Sequence, residues 1–246
     1  MYRKVEKILP TLQKYIKKTP LEKNNLLSEK FNANIYLKRE DQQYTRSFKL
    51  RGSLNKILKN ANSNNLVTAS AGNHAQGVAH ACRILEKKGT IFLPTTTPLQ
   101  KINRIKYFGR DNITIKIIGS NFNESLDKSL EYSNHNDNIF IHPYDDLDVI
   151  EGQATIAYEI LNKIEPDYIL CSVGGGGLSA GISSLCSNIK HKCKVVGVEP
   201  YGAASLTKSL QYKKRIKLDK IDTFVDGASV SQIGETNYNI LKNLIY

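Results

Sequence analysis

The sequence predicts an α/β fold of parallel strands alternating with helices that pack on both sheet faces. Three observations predict it. Short apolar runs rich in Val, Ile and Phe recur along the chain, stretches of helical apolar spacing lie between them, and two of the joining turns concentrate small residues. At 246 residues the chain supports one large domain or two small ones, with a substantial core.

The strand-like runs are Ile35–Leu37, Leu66–Ala69, Ile91–Leu93, Ile113–Ile118, Ile139–Ile141, Tyr168–Val173 and Val195–Val198. The helical stretches are Leu50–Leu58, Ala75–Leu85, Leu99–Phe108, Ser125–Tyr132, Gln153–Leu161 and Leu178–Leu185. Thr97 and Pro98 read as the N-cap and first residue of the third. Ahead of these, Val5, Ile8, Leu9, Leu12 and Ile16 keep roughly helical spacing across Pro10. Glu6 and the lack of a long apolar stretch exclude a secretory signal there. No apolar run is long enough to span a membrane.

Apolar residues make up 40% and charged residues 24%, as in ordinary globular proteins. The net charge of +12 raises nucleic-acid binding, but the basic residues are scattered in short runs such as Lys213-Lys214-Arg215 and Trp is absent. No basic stripe interleaved with aromatics exists, which argues against a nucleic-acid partner. The charge still favours anionic ligands through its long-range field. Cys82, Cys171, Cys186 and Cys193 form no C-x-x-C pair and no disulfide framework, so free thiols in a reducing cytoplasm are the simplest reading and no metal site is expected.

In open α/β sheets ligands bind beyond the carboxyl ends of the strands. Two of the turns at such ends are unusual. Tyr168–Val173 runs into Gly174-Gly175-Gly176-Gly177 and then a helix from Leu178. Without Cβ atoms, successive N–H groups can converge on an anion, and the helix start adds its own free N–H groups and partial positive charge. The spacing matches neither a nucleotide P-loop nor G-x-G-x-x-G, so a phosphate cradle of another kind, or a tightly packed turn, is left. The second turn is Ser70-Ala71-Gly72-Asn73-His74 after Leu66–Ala69. Its small residues let N–H groups approach a carboxylate, and Asn73 adds a neutral donor and acceptor. His74 is a candidate base, though a lone His at a helix start more often orients a loop.

Lys49 lies in Ser47-Phe48-Lys49-Leu50-Arg51-Gly52, where an aromatic precedes a helical repeat of Leu50, Leu54, Ile57 and Leu58. A lysine at a buried helix mouth loses hydration, and its neutral amine becomes a nucleophile or base. A lysine that merely snorkels to solvent has the same local pattern. One amine, one phosphate cradle and one carboxylate cradle together suit a phosphorylated aldehyde cofactor that reacts with amino acids, as pyridoxal phosphate does.

Six stretches carry a resemblance: Tyr36–Asp41 (YLKRED), Ser47–Gly52 (SFKLRG), Ser70–Gly77 (SAGNHAQG), Gly174–Leu178 (GGGGL), Gly197–Pro200 (GVEP) and Phe224–Ala228 (FVDGA). In this order they resemble the threonine dehydratase branch of the tryptophan-synthase-β-like pyridoxal-phosphate enzymes, from about Thr19 onward. The resemblance implies the fold type II architecture: a large cofactor-binding subdomain of residues 1–51 and 143–246, a small mobile subdomain of 52–142, and no regulatory domain. It implies that Lys49 holds pyridoxal 5'-phosphate as a Schiff base and, once freed by the substrate amine, takes the Cα proton. Phe48 would lie beside the cofactor, Asn73 on its phenolic oxygen, and Gly174, Gly175, Gly176, Gly177 and Leu178 on its phosphate. Ser70, Ala71, Gly72, Asn73 and His74 would grip the substrate carboxylate, largely through backbone. The implied reaction takes L-threonine, and L-serine as well, to a keto acid and ammonia, 2-oxobutanoate in the threonine case, the first step of isoleucine biosynthesis.

Serine racemases of this family place a second Ser where this chain has Ala71, so racemisation is disfavoured. Family members also continue beyond the point matching Tyr246, where a later strand supplies a Ser or Thr to the pyridine nitrogen. The fold is therefore expected to be incomplete at its C-terminus, with weak or no activity unaided, as a remnant or as half of a split enzyme. The pattern Ile240, Leu241, Leu244, Ile245 reads as a helix that ends in exposed apolar residues and wants a partner, a second copy or a complementing chain. Glu199 could join a cation site, but a carboxylate ending a strand is more often structural.

Overall fold

The computed structural model describes residues 1–134 and 138–246. In chain order it contains α1 (Tyr2–Leu12), β1 (Leu21–Lys23), α2 (Asn25–Phe31), β2 (Tyr36–Lys38), α3 (Lys49–Lys59), β3 (Asn65–Ala69), α4 (Asn73–Ile84), β4 (Lys88–Leu93) and α5 (Leu99–Gly109). There follow β5 (Ile113–Ile117), α6 (Phe122–Ser133), β6 (Ile139–Phe140), α7 (Leu147–Leu161), β7 (Tyr168–Ser172), α8 (Gly177–Asn188), β8 (Lys194–Val198), α9 (Ser205–Gln211) and α10 (Glu235–Leu241).

Four strands form a parallel sheet in the order β5-β4-β3-β6, with Val67 opposite both Thr90 and Phe140. The period of two assigns its faces. Ile91 and Leu93 point to α4 and α5, where they meet Ala75, Ala79, Ile102, Ile105 and Phe108. Val67, Ala69 and Phe92 point the other way, against Leu126 and Tyr132 of α6. This sheet is covered on both faces, as expected.

The second sheet departs from that expectation. Strands β7 and β8 pair in parallel, Leu170 opposite Val196. Their inner residues Ile169, Cys171 and Val195 pack on α7 and α8. Among the described residues nothing covers the other face, where Tyr168 and Leu170 are 55% and 67% exposed. Parallel sheets are ordinarily buried on both faces.

The run at residues 35–37 also differs. It pairs antiparallel with β1, Glu22 opposite Leu37. The connecting α2 buries none of its residues, so it covers no sheet face. Asn32, at φ 47°, ends it in the left-handed region and turns the chain back. A cap starts it: Asn24 accepts the Leu27 N–H at 2.9 Å. At α5 the expected boundary shifts by one residue, because Pro98 has ψ 142° and is itself the N-cap, which moves Thr97 outside the helix.

Near the C-terminus α10 stops at Leu241. Ile245 packs with Ile240 on the cluster of Ile150, Val173, Leu206 and Ile233. Tyr246 donates its N–H to Val195 O (2.8 Å) and accepts from Gly197 N–H (3.2 Å), pairing with β8. The expected helix with exposed Leu and Ile is therefore replaced by a short helix and an edge pairing, which satisfies the Gly197 N–H and the Val195 carbonyl of the strand.

Helix α3 joins the two sheets' helices. A Cβ on Gly77 of α4 would lie 3.2 Å from Leu50 N, and one on Gly152 of α7 would lie 2.7 Å from Gly52 Cα. All four cysteines are free and buried. No helix among the described residues is long and apolar enough to cross a membrane.

Candidate active site

Lys49 is the first residue of α3, which begins without a side-chain cap. Its Nζ donates to Pro143 O at 2.7 Å. It lies 5.6 Å from the Phe48 ring centre and 5.9 Å from that of Tyr144. Burial pushes its pKa down to about 8. The amine is thus turned inward onto a backbone carbonyl, and the snorkelling alternative does not describe it.

The glycine turn meets the same tyrosine. A Cβ on Gly175 would sit 2.2 Å from the Tyr144 ring, and one on Gly177 would sit 2.7 Å from Tyr144 O. Gly176 has φ 91°, a conformation that side chains resist, and caps α8 with no side-chain bond. The backbone N–H groups from Gly174 to Leu178 find no acceptor among the described residues. Consecutive idle donors at the start of a 12-residue helix suit a phosphate, so these residues fit the cofactor that the sequence points to. The Leu178 side chain packs on the core, leaving only its N–H for an anion.

The second turn is more open. Gly72 caps α4, and a Cβ there would meet nothing within 4 Å. Ser70 Oγ accepts the Gly72 N–H at 3.2 Å. Ala71 leans on the cluster of Ile91 and Leu93. Asn73 is exposed, and its side chain bonds to no described residue. His74 is buried. Its Nε2 lies 2.9 Å from Ile141 O, and its Nδ1 lies 3.4 Å from Ser53 Oγ, whose hydroxyl donates to Lys49 O. Burial first and the Lys49 charge second push the His74 pKa down to about 3. A neutral ring whose Nε2–H donates to a carbonyl orients the loop, and with a pKa of about 3 it is a weak base.

Three features escaped the sequence reading. The first is the loop His142-Pro143-Tyr144-Asp145-Asp146 after β6, which the strand-end rule also marks. His142 Nδ1 accepts the N–H groups of Tyr144 (3.2 Å) and Asp145 (2.7 Å), and burial pushes its pKa down to about 4. Asp145 in turn accepts the N–H groups of Glu235 (2.8 Å) and Asn237 (3.1 Å). The second is Asn237 itself, and no local pattern marks it. The third is Arg51, the largest fully buried side chain. Its guanidinium bonds both oxygens of Glu40 at 2.8 Å and both of Glu159 at 2.8 and 3.0 Å. Lys38 adds a 2.7 Å contact to Glu159. Burial would raise the Glu159 pKa, but Arg51 and Lys38 hold it below the usual carboxylate range.

Glu199 accepts the N–H groups of Leu206 (2.8 Å) and Thr207 (2.7 Å), capping α9. Among the described residues no group of three or more His, Cys, Asp or Glu could hold a metal ion.

Comparisons with known proteins place the chain among similar sequences and structures. The family model "Pyridoxal-phosphate dependent enzyme" matches residues 12–246. The protein named "L-threonine dehydratase biosynthetic IlvA" from Halalkalibacterium halodurans is 44% identical over 240 residues, covering 96% of this chain and 58% of its own length. Its namesake from Bacillus subtilis is 47% identical over 232 residues, covering 92% and 55%. The chain thus spans little more than half the length of these curated relatives. The solved processed form of threonine deaminase isoform 2 from Solanum lycopersicum superposes with a TM-score of 0.91 at 39% identity, covering 99% of this chain and 72% of that one.

Proposed function

Since the chain belongs to the family of pyridoxal-phosphate dependent enzymes, we propose that it carries the catalytic centre of an ammonia-lyase acting on L-threonine and L-serine. Threonine would yield 2-oxobutanoate and ammonia, opening isoleucine biosynthesis in the cytoplasm. When bound at Lys49, pyridoxal phosphate supplies an aldehyde for the substrate amine and a ring that takes up the electron pair released at Cα.

The chain's own residues do the rest. The N–H groups from Gly174 to Leu178 hold the phosphate, and Phe48 packs beside the ring. Asn73 reaches the phenolic oxygen, and its lack of a partner among the described residues leaves it free to do so. Within Ser70 to His74 the backbone N–H groups of Ala71, Asn73 and His74, which have no acceptor among the described residues, bind the substrate carboxylate, and the open space beyond Gly72 admits it. Lys49 Nζ removes the Cα proton, and its lowered pKa of about 8 leaves a useful neutral fraction near neutrality. Ala71 offers no hydroxyl to return a proton from the opposite face. Residues 1–51 with 143–246 form the large subdomain of this reading, and 52–142 the small mobile one.

The observation that carries it is the meeting at Tyr144, whose ring lies beside the Lys49 amine and fills the place of a Gly175 side chain. The test is an absorbance titration with pyridoxal phosphate, followed by a keto-acid assay with threonine. The wild-type chain should show a visible band and form keto acid. Lys49→Ala should lose the band and lower turnover on the order of 10²–10⁴-fold. The uncovered face of β7 and β8 favours a second reading, in which the chain binds the cofactor but turns over only with a second copy or complementing polypeptide. A band without keto acid would select it.

A further inference from the structure

Two loops distant in sequence meet at Tyr144, whose ring centre lies 5.9 Å from the Lys49 amine. The loop after β6 carries the Pro143 carbonyl that takes the amine. The turn after β7 carries the idle N–H groups. One side chain ties them together. Asn237 of α10 is completely buried. Its amide nitrogen donates to Tyr144 O at 3.0 Å and to Gly175 O at 2.7 Å. Both N–H bonds of the amide are used, one on each loop. Its Oδ1 finds no partner among the described residues, so the donor end alone is engaged. Asp145 fixes Asn237 through its backbone N–H, and Gly234 N–H adds a second bond to Gly175 O at 3.2 Å.

The direction of these bonds matters. In a trans peptide the C=O and the following N–H point opposite ways. Drawing Gly175 O toward Asn237 therefore turns Gly176 N–H away from it, as a member of the idle set. No smaller substitution keeps the pair of donors: Asp has none when ionised, Thr has one and Ala has none.

We propose that Asn237 is a positioning residue that sets the spacing between the amine-holding carbonyl of Pro143 and the N–H cradle of Gly174 to Leu178. With that spacing a single molecule bonds Lys49 and rests its phosphate on the cradle. The inference rests on the reading of this site as a pyridoxal phosphate site.

The test compares pyridoxal phosphate with pyridoxal, which keeps the aldehyde but lacks the phosphate. Each is titrated into the full chain and followed by visible absorbance. N237A should raise the dissociation constant for pyridoxal phosphate by about tenfold and leave that for pyridoxal unchanged. N237T, with one donor, should fall between, and it carries the comparison if N237A gives no cooperative melting transition. Equal losses for both ligands would make Asn237 merely structural and overturn the proposal. Unchanged affinities in both variants would overturn it too. A wild-type chain that binds neither aldehyde would sink the cofactor reading together with the inference.

Discussion

Both candidate cradles are strand-to-helix turns made of small residues, yet they use glycine for opposite ends. In the turn at Gly174–Gly177 the missing side chains make room for protein: the Tyr144 ring, Ile233 and Asn237 occupy the space. In the turn at Ser70–His74 the space beyond Gly72 is open. The first turn is a rigid, prebuilt socket. The second is a doorway with its polar edge, Asn73, unengaged. A cofactor that stays and a substrate that comes and goes would need such a pair.

The largest break in that contrast should come from Gly175→Ala. Its methyl would overlap the Tyr144 ring, at 2.2 Å from the nearest atom. Overpacking of this kind costs about 1–3 kcal/mol. Urea denaturation should show that loss, and Tyr144→Ala in the same chain should recover part of it as a coupling term. A fully additive double variant would show that the ring and the turn do not press on each other.

Gly176→Ala should cost about 1–2 kcal/mol, because φ 91° is a left-handed conformation and Ile233 Cδ1 lies 2.6 Å from the new methyl. Gly72→Ala should move stability by no more than about 0.5 kcal/mol, while raising KM for threonine with little change in cofactor affinity. A Gly72→Ala chain as unstable as Gly175→Ala would erase the distinction between the two turns.

A last effect concerns acid. His74 and His142 are held neutral, with pKa values pushed from 6.5 to about 3 and about 4. Over that range the unfolded chain binds protons that the folded chain refuses, so stability climbs with pH and is lost as pH falls below 6.5. His74→Asn, whatever its absolute stability, should lose less between pH 6.5 and about 4 than the wild type, by denaturation midpoints. An identical slope would mean that the His74 ring is hydrated.

Most of this architecture was legible because the relevant signals are local. The apolar runs named seven of the eight strands among the described residues, and Lys49 and the tetraglycine stand out within a few residues of chain. The ribbon partner Leu21–Lys23 was missed because three residues between polar neighbours carry no period, and the direction of pairing depended on Asn32. The partner of Lys49 was missed for a different reason. A carbonyl acceptor has no side-chain signature, and Pro143 lies 94 residues away. Asn237 belongs to the same class, since its meaning comes entirely from the two loops it spans.

Arg51 carries a last consequence. It sits two residues past Lys49 on the same helix and is gripped by two carboxylates from different parts of the chain. Adjacent residues on a helix are set about 100° apart around its axis, at 3.6 per turn. A slip of α3 by a single residue would swing the amine about that far from Pro143 and strand a guanidinium in the core. The ion cluster thus works as a detent on the screw of the helix: α3 has one permitted angular setting, and any reach of the amine must come from its four methylenes.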